Sequence, residues 1–90
     1  MRKCILCGRN GREDPLERHH IFGGPFRSKS EKYKLVVYLC GDRCHRNGEK
    51  AAHRCKETSD ILRRAGQRKA MREQGWTVEE FIAVFGKNYL

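Results

Sequence analysis

A chain of 90 residues is long enough for one domain at most. A domain of this size is often only marginally stable without a cross-link such as a bound metal. The net charge of +9 favours a polyanionic partner, usually nucleic acid, over a basic surface that serves solubility alone. No apolar run is long enough to cross a bilayer, and none follows the basic N-terminus. We therefore expect no membrane partner, no signal peptide and a cytoplasmic location, where thiols stay reduced.

The first half of the sequence predicts a β-hairpin with a long connection. A tight turn at residues 4–8 precedes a short strand at residues 17–22, which a Gly-Gly-Pro sequence ends. Residues 26–34 are basic and contain serine, and we expect them to form a loop. The clearest strand signal is the β-branched and apolar run at residues 34–39. The two strands are expected to pair.

The second half predicts three helices. The first is expected from residue 42, where an aspartate can cap it, to about residue 56. A second helix is expected to begin at residue 58 or 59 and to end near residue 75. Thr77 followed three positions later by Glu80 forms a capping-box pattern, which is typical of the start of a third helix.

Four cysteines are spaced as metal ligands. Cys4-x-x-Cys7 and Cys40-x-x-x-Cys44 can together supply four thiolates for a tetrahedral zinc, which would cross-link the N-terminus to the end of the second strand. The alternative is four ordinary buried cysteines without a metal. Cys55 is left over and is not expected to be a ligand.

All four histidines of the chain lie beside turns or beside these cysteines. They are His19, His20, His45 and His53. On an unbroken helix, His45 and His53 would be separated by about 12 Å of rise, too far apart to share a metal. The Asn47-Gly48 pair between them is a turn signal that can break the helix and bring the two together.

These motifs resemble the HNH, or His-Me finger, endonucleases. The resemblance begins with His19-His20-Ile21 before a Gly-rich segment and continues with a strand that ends in Leu39-Cys40. The following stretch, from Cys44-His45 to Ala52-His53 with Asn47-Gly48 between them, is similar to a phage-associated subgroup, the recombination-enhancement nucleases. The similarity covers residues 4–55.

The resemblance implies an α+β fold, with a zinc-stapled ββα-metal (HNH) core at residues 1–56 and a C-terminal helical tail at residues 57–90 packed on it as a single domain. It implies that His20 is the general base and that His19, His45 and His53 hold the catalytic metal. It assigns the structural zinc to Cys4, Cys7, Cys40 and Cys44. The family's middle asparagine has no match, since Lys34 or Leu35 stands near its place.

The activity implied is hydrolysis of DNA phosphodiester bonds with one divalent metal, such as Mg, Mn, Ni, Co or Zn, leaving 5′-phosphate and 3′-hydroxyl ends. The resemblance places the protein in a phage or prophage, in the cytoplasm of a bacterial host, with DNA and a phage or host recombination protein as candidate partners. The candidate DNA-contacting residues are Arg27, Lys29, Lys32, Arg63, Arg64 and Arg68. Two alternatives remain open: a non-catalytic zinc-dependent DNA-binding module, and a protein–protein inhibitor or adaptor.

Overall fold

The computed structural model describes residues 2–90, which form a small α+β structure with a two-stranded sheet and helices. In chain order the elements are β1 (Leu16–His20), α1 (Arg27–Lys32), β2 (Val36–Cys40), α2 (Lys56–Gln74) and α3 (Val78–Phe85). A single 3-10 turn at Gly24–Phe26 leads into α1, and a short π-helical segment at Gly41–Arg46 follows β2. Within residues 2–90, no helix has both the length and the apolar character that crossing a bilayer requires.

The predicted hairpin is present, with each strand within two residues of its expected bounds. The Ile21 N–H donates to the Leu35 carbonyl (3.0 Å) at one end of the pair. At the other end, the Gly41 N–H donates to the Pro15 carbonyl (2.9 Å). Residue 21 thus lies opposite residue 35 and residue 15 opposite residue 41, which is the register of an antiparallel pair.

The connection between the strands is not the loop predicted at residues 26–34, because it contains α1. Pro25 stands in the 3-10 turn before this helix, where its fixed φ suits a helix start. The residues that follow are mostly good helix formers, Arg, Lys and Glu. The basic side chains of this segment are therefore presented by a helix.

A buried serine braces this connection. Ser30 is fully buried, and its hydroxyl donates to the Phe22 carbonyl (2.7 Å) and accepts from the Phe22 N–H (3.1 Å). The Ser30 carbonyl in turn accepts from the Leu35 N–H (2.7 Å). Ser30 thus ties Phe22, just after β1, through its side chain and Leu35, just before β2, through its main chain.

The helix predicted from residue 42 to about residue 56 does not form. Its first turn is the π-helical segment, after which the chain reverses at Asn47 and Gly48. The next helix begins at Lys56, two to three residues earlier than expected, and ends at Gln74, as expected. The third helix was predicted correctly: the Thr77 side chain accepts from the Glu80 N–H, and the Glu80 side chain accepts from the Thr77 N–H.

The chain forms two compact units that are not contiguous in sequence. The first consists of the chain up to His19 together with Val36–Ser59, and the second consists of His20–Leu35 together with Asp60–Leu90. In the second unit, the ring of Phe22 packs against those of Phe81 (5.6 Å between centroids) and Phe85 (4.6 Å). In the first unit, most of the buried residues are cysteines and alanines, with Leu39 of β2.

Candidate metal centres

Four cysteines of the first unit form a cluster that can hold a metal ion. Their Sγ atoms all lie within 4.8 Å of one another, and those of Cys7 and Cys40 are 3.4 Å apart. A zinc–sulfur bond of about 2.3 Å implies sulfur–sulfur distances of about 3.8 Å in a tetrahedral site, so the cluster fits zinc with small adjustments. Cys4, Cys40 and Cys44 are buried, whereas Cys7 is exposed.

The local backbone explains how Cys4 and Cys7 meet the other pair. The Gly8 N–H donates to the Cys4 carbonyl and the Cys4 N–H donates to the Arg9 carbonyl, both at 2.8 Å. These two hydrogen bonds close the turn at residues 4–8, the knuckle, around the thiols of Cys4 and Cys7. The Ile5 N–H donates to the Tyr38 carbonyl (3.0 Å) and so fixes the knuckle to β2. Main-chain hydrogen bonds within the knuckle and between the knuckle and β2 therefore position the cysteines of the cluster.

The thiols of this cluster ionise unequally. Burial opposes ionisation of Cys7, but a hydrogen bond from the Arg9 backbone and hydrogen bonds from the other three thiols lower its pKa to about 6. Burial and hydrogen bonding to Cys7 raise the pKa of Cys40 to about 11, and burial also raises the pKa of Cys44. The Cys7 thiolate is thus stabilised by hydrogen bonds from the neighbouring thiols. A metal that binds the cluster would displace the protons of those thiols.

Three of the four histidines also converge in the first unit. The ring nitrogens of His19, His45 and His53 that can act as ligands lie within 4.8 Å of one another. The Nε2 atoms of His45 and His53 are 3.0 Å apart, close to the spacing of about 3.3 Å that metal–nitrogen bonds of about 2.0–2.1 Å imply. His19 is only 9% exposed, whereas His53 is exposed, so this His triad is open to solvent on one side.

The chain reversal predicted at Asn47-Gly48 brings His53 back to His45. The N–H groups of both turn residues donate to the Asp42 carbonyl, at 2.8 and 3.1 Å. The His53 N–H then donates to the His45 carbonyl (3.0 Å). A Cβ atom at Gly48 would overlap the Arg43 carbonyl, so the tight reversal requires glycine there.

A carboxylate outside the π-helical segment supports its first turn. The two side-chain oxygens of Asp14 accept from the Asp42 N–H (2.9 Å) and the Arg43 N–H (2.8 Å). These two hydrogen bonds hold the pKa of Asp14 below its ordinary value. Asp14 thus supplies the cap that was expected of Asp42.

Glu17 is a residue of this candidate site that the sequence prediction missed. Its Oε1 atom lies 2.8 Å from Nδ1 of His45, and a carboxylate can only accept, so His45 carries its proton on Nδ1. The Nε2 lone pair of His45 is then directed to the triad, as in many carboxylate–histidine–metal arrangements. The sequence contained a signal for this contact, because Glu17 and His19 are two residues apart in β1 and therefore lie on the same face of the strand.

His53 differs electrostatically from the other members of the triad. Desolvation, and then the charge of His45, lower the pKa of His53 below its ordinary value. A neutral imidazole is the form that binds a metal. His53 is therefore held in the ligating form over a wider range of pH than a fully solvated histidine.

His20 is the histidine outside the triad, although it follows His19 directly in β1. In the second unit, its Nε2 atom lies 2.9 Å from Oε1 of Glu31 on α1. Because the carboxylate accepts, the proton of His20 is on Nε2 and the Nδ1 lone pair is available. Sequence reasoning did not identify Glu31, since α1 was expected to be a loop.

The predicted DNA-contacting residues differ in their surroundings. Arg27, Lys29 and Lys32 lie on α1. Lys29 donates to the Val84 carbonyl at the end of α3 (2.8 Å), and the Lys32 ammonium lies 5.4 Å from the Tyr33 ring centroid. These two cations are therefore partly engaged within the protein.

Comparison of the chain with protein-family models, with curated proteins and with solved structures found no match.

Proposed function

We propose that the protein is a phage or prophage HNH endonuclease that hydrolyses DNA phosphodiester bonds with a single divalent metal. The observation that carries the proposal is the convergence of His19, His45 and His53, together with the position of His20 directly after His19 in β1. In the HNH endonucleases that the sequence resembles, the corresponding histidines provide the metal ligands and the base.

The two clusters suit different roles. Four thiolates fill a tetrahedral coordination sphere and leave no position for substrate, which is typical of a structural zinc. Three imidazoles leave positions open, which is typical of a catalytic site. A divalent metal bound there would stabilise negative charge on the phosphate and on the leaving oxygen. Imidazole ligands favour Zn, Ni, Co or Mn over Mg.

The proposal assigns the proton transfer to His20. Histidine is the commonest general base in enzymes, and the Nδ1 lone pair of His20 can accept the proton of an attacking water. Glu31 acts as a positioning residue, because its hydrogen bond to Nε2 selects the tautomer and orients the ring. The net charge of +9 favours a polyanionic substrate such as DNA.

The test is nicking of supercoiled plasmid by the parent protein and by His20→Ala and His53→Ala, with Mg, Mn, Co, Ni and Zn supplied in turn. We expect His20→Ala to lower the cleavage rate about a hundredfold or more while binding the metal at the triad normally. His53→Ala should lose both activity and that metal, as measured by calorimetry. Full activity of His20→Ala would remove the base assignment.

A parent protein that is inert with all five metals, on single- and double-stranded DNA, would contradict the proposal as a whole. The protein would then be better described as a zinc-dependent DNA-binding module.

A further inference from the structure

Within the second unit, helix α2 has a packed face and an open face. Leu62, Gly66, Gln67 and Ala70 are buried, and the Gly66 position lies close against Ile21 and Phe22. On the opposite side, exposed residues follow one another at helical spacing: Ile61, Arg64, Ala65, Arg68 and Arg72. With 3.6 residues per turn, the three arginines fall within an arc of about 80°.

The other basic residues in this part of α2 are engaged within the protein. The Arg63 guanidinium lies 3.7 Å from the Asp60 carboxylate and 5.8 Å from the Tyr89 ring centroid. The Lys69 ammonium donates to the Lys34 carbonyl (2.6 Å) and lies 3.8 Å from the Glu73 carboxylate. The positive charges of Arg63 and Lys69 are therefore both engaged by groups of the protein itself.

Arg64, Arg68 and Arg72, by contrast, make no ion pair within residues 2–90. Like charges four residues apart destabilise an isolated helix. Three arginines at i, i+4 and i+8 therefore repel one another along the open face. An anionic partner laid along the helix would relieve this repulsion.

We propose that Arg64, Arg68 and Arg72, the arginine face of α2, bind the phosphate backbone of duplex DNA. The three residues span about 12 Å along the helix axis. The same length of duplex axis carries about seven phosphate charges, and a guanidinium can hold a phosphate with two hydrogen bonds. A helix that binds a membrane surface needs an apolar side as well, and Ile61 is the one large apolar residue of α2 that is exposed.

The inference rests on the proposed function only in taking DNA as the partner, and binding does not require cleavage. The arginine face includes Arg72, which the sequence prediction omitted, and excludes Arg63, which that prediction named. This difference provides a matched control, because Arg63→Gln removes the same charge from the same helix.

The experiment is fluorescence anisotropy of a labelled duplex at several salt concentrations, with zinc-loaded protein and no added divalent metal. For Arg64→Gln, Arg68→Gln and Arg72→Gln, we expect the slope of log K against log salt to fall by about 0.9 each, and by about 2.7 in the triple variant. Arg63→Gln should change this slope by less than half of the change expected for any one of the three single variants. Circular dichroism checks that each variant retains its helices.

Two results would overturn the inference: a triple variant whose slope equals the parent's, or an Arg63→Gln slope change equal to those of the face variants. Vesicles containing phosphatidylserine form a further arm. Membrane binding that the triple variant loses, while its DNA slope stays at the parent value, would assign the face to lipid. Absence of nuclease activity would leave the expected slopes unchanged, so failure of the proposed function is a separate outcome.

Discussion

At the scale of single residues, two carboxylates determine what two histidines can do. Glu17 fixes the proton of His45 on Nδ1, and Glu31 fixes the proton of His20 on Nε2. The first arrangement leaves Nε2 of His45 free to ligate, and the second leaves Nδ1 of His20 free to accept a proton. Each imidazole is thus prepared for its proposed role before metal or substrate binds.

The tautomer of His20 provides a prediction. Glu31→Ala removes the acceptor that lies at Nε2, so we expect His20 to populate both neutral tautomers. Long-range ¹H–¹⁵N correlation spectra of the His20 ring measure this directly. If the protein cleaves DNA, kcat should also fall about 10–100-fold while KM for DNA changes little, which is the usual effect of losing an orienting partner.

Glu13→Ala is the control for this prediction, because it removes one carboxylate from an exposed position. It should leave the His20 spectrum unchanged. An unaltered His20 tautomer in Glu31→Ala would contradict the positioning role.

At the scale of elements, the sequence predicted which cysteines and histidines converge better than it predicted the helices. The three-histidine convergence depended on Asn47-Gly48, whose turn signal is local and therefore readable from sequence. The prediction of a helix after Asp42 was wrong. Helix propensity does not report the tight chain reversal, in which Gly48 packs against the Arg43 carbonyl. Glu31 pairs with His20 across 11 residues because it lies on α1, where the sequence predicts a loop.

Gly48→Ala tests the reversal. The added methyl group collides with the Arg43 carbonyl, and relieving such an overlap typically costs about 1–3 kcal/mol. Because the same segment returns His53 to His45, we expect the affinity of the triad for Co or Ni to fall about tenfold or more in calorimetric titration. Gly23→Ala adds its methyl group in open space and should bind as the parent does.

Zinc retained by the cysteine cluster in Gly48→Ala would show that the defect is local. Parent-like cobalt affinity in that variant would mean that the reversal does not control the triad.

The support given by Asp14 to the π-helical segment predicts a pH effect. Its pKa is lowered in the folded state, so its contribution is present above the unfolded pKa of about 3.9 and is lost as pH falls through the folded value. Asp14→Asn should be less stable than the parent at pH 6, and the difference should shrink as the pH falls below about 4. Urea unfolding at each pH measures the difference.

Glu13→Gln serves as the comparison, since Glu13 is an exposed neighbour of Asp14. A stability difference between the parent and Asp14→Asn that did not shrink as the pH fell below about 4 would argue against an ionised cap.

At the scale of the whole molecule, the first unit contains both candidate metal centres, and they share one short segment. Cys44 and His45 are adjacent, and their carbonyls accept from the Ala52 and His53 N–H groups (2.8 and 3.0 Å). The four-cysteine cluster is mostly buried, whereas the triad is open at His53. The two centres should therefore release their metals at different chelator strengths.

This difference leads to a prediction of staged metal loss. Mild chelation should remove the metal of the triad while the zinc of the cysteine cluster and the native circular dichroism spectrum remain. Strong chelation should then remove the zinc and lower the melting temperature sharply, since the free energy of binding a structural zinc contributes directly to folding. Elemental analysis beside thermal melting follows both stages.

Two cysteine variants separate this account from a general effect of chelators. Cys7→Ser should lack the tightly held zinc and melt at a lower temperature even without chelator. Cys55→Ser, which changes the cysteine outside the cluster, should keep both stages. Simultaneous loss of both metals would mean that the two centres do not differ in how tightly they hold metal. A Cys7→Ser protein that melts with the parent would mean that the cysteine cluster does not hold the fold together. Cleavage that disappears at the first stage and returns on adding metal back would assign the chemistry to the triad.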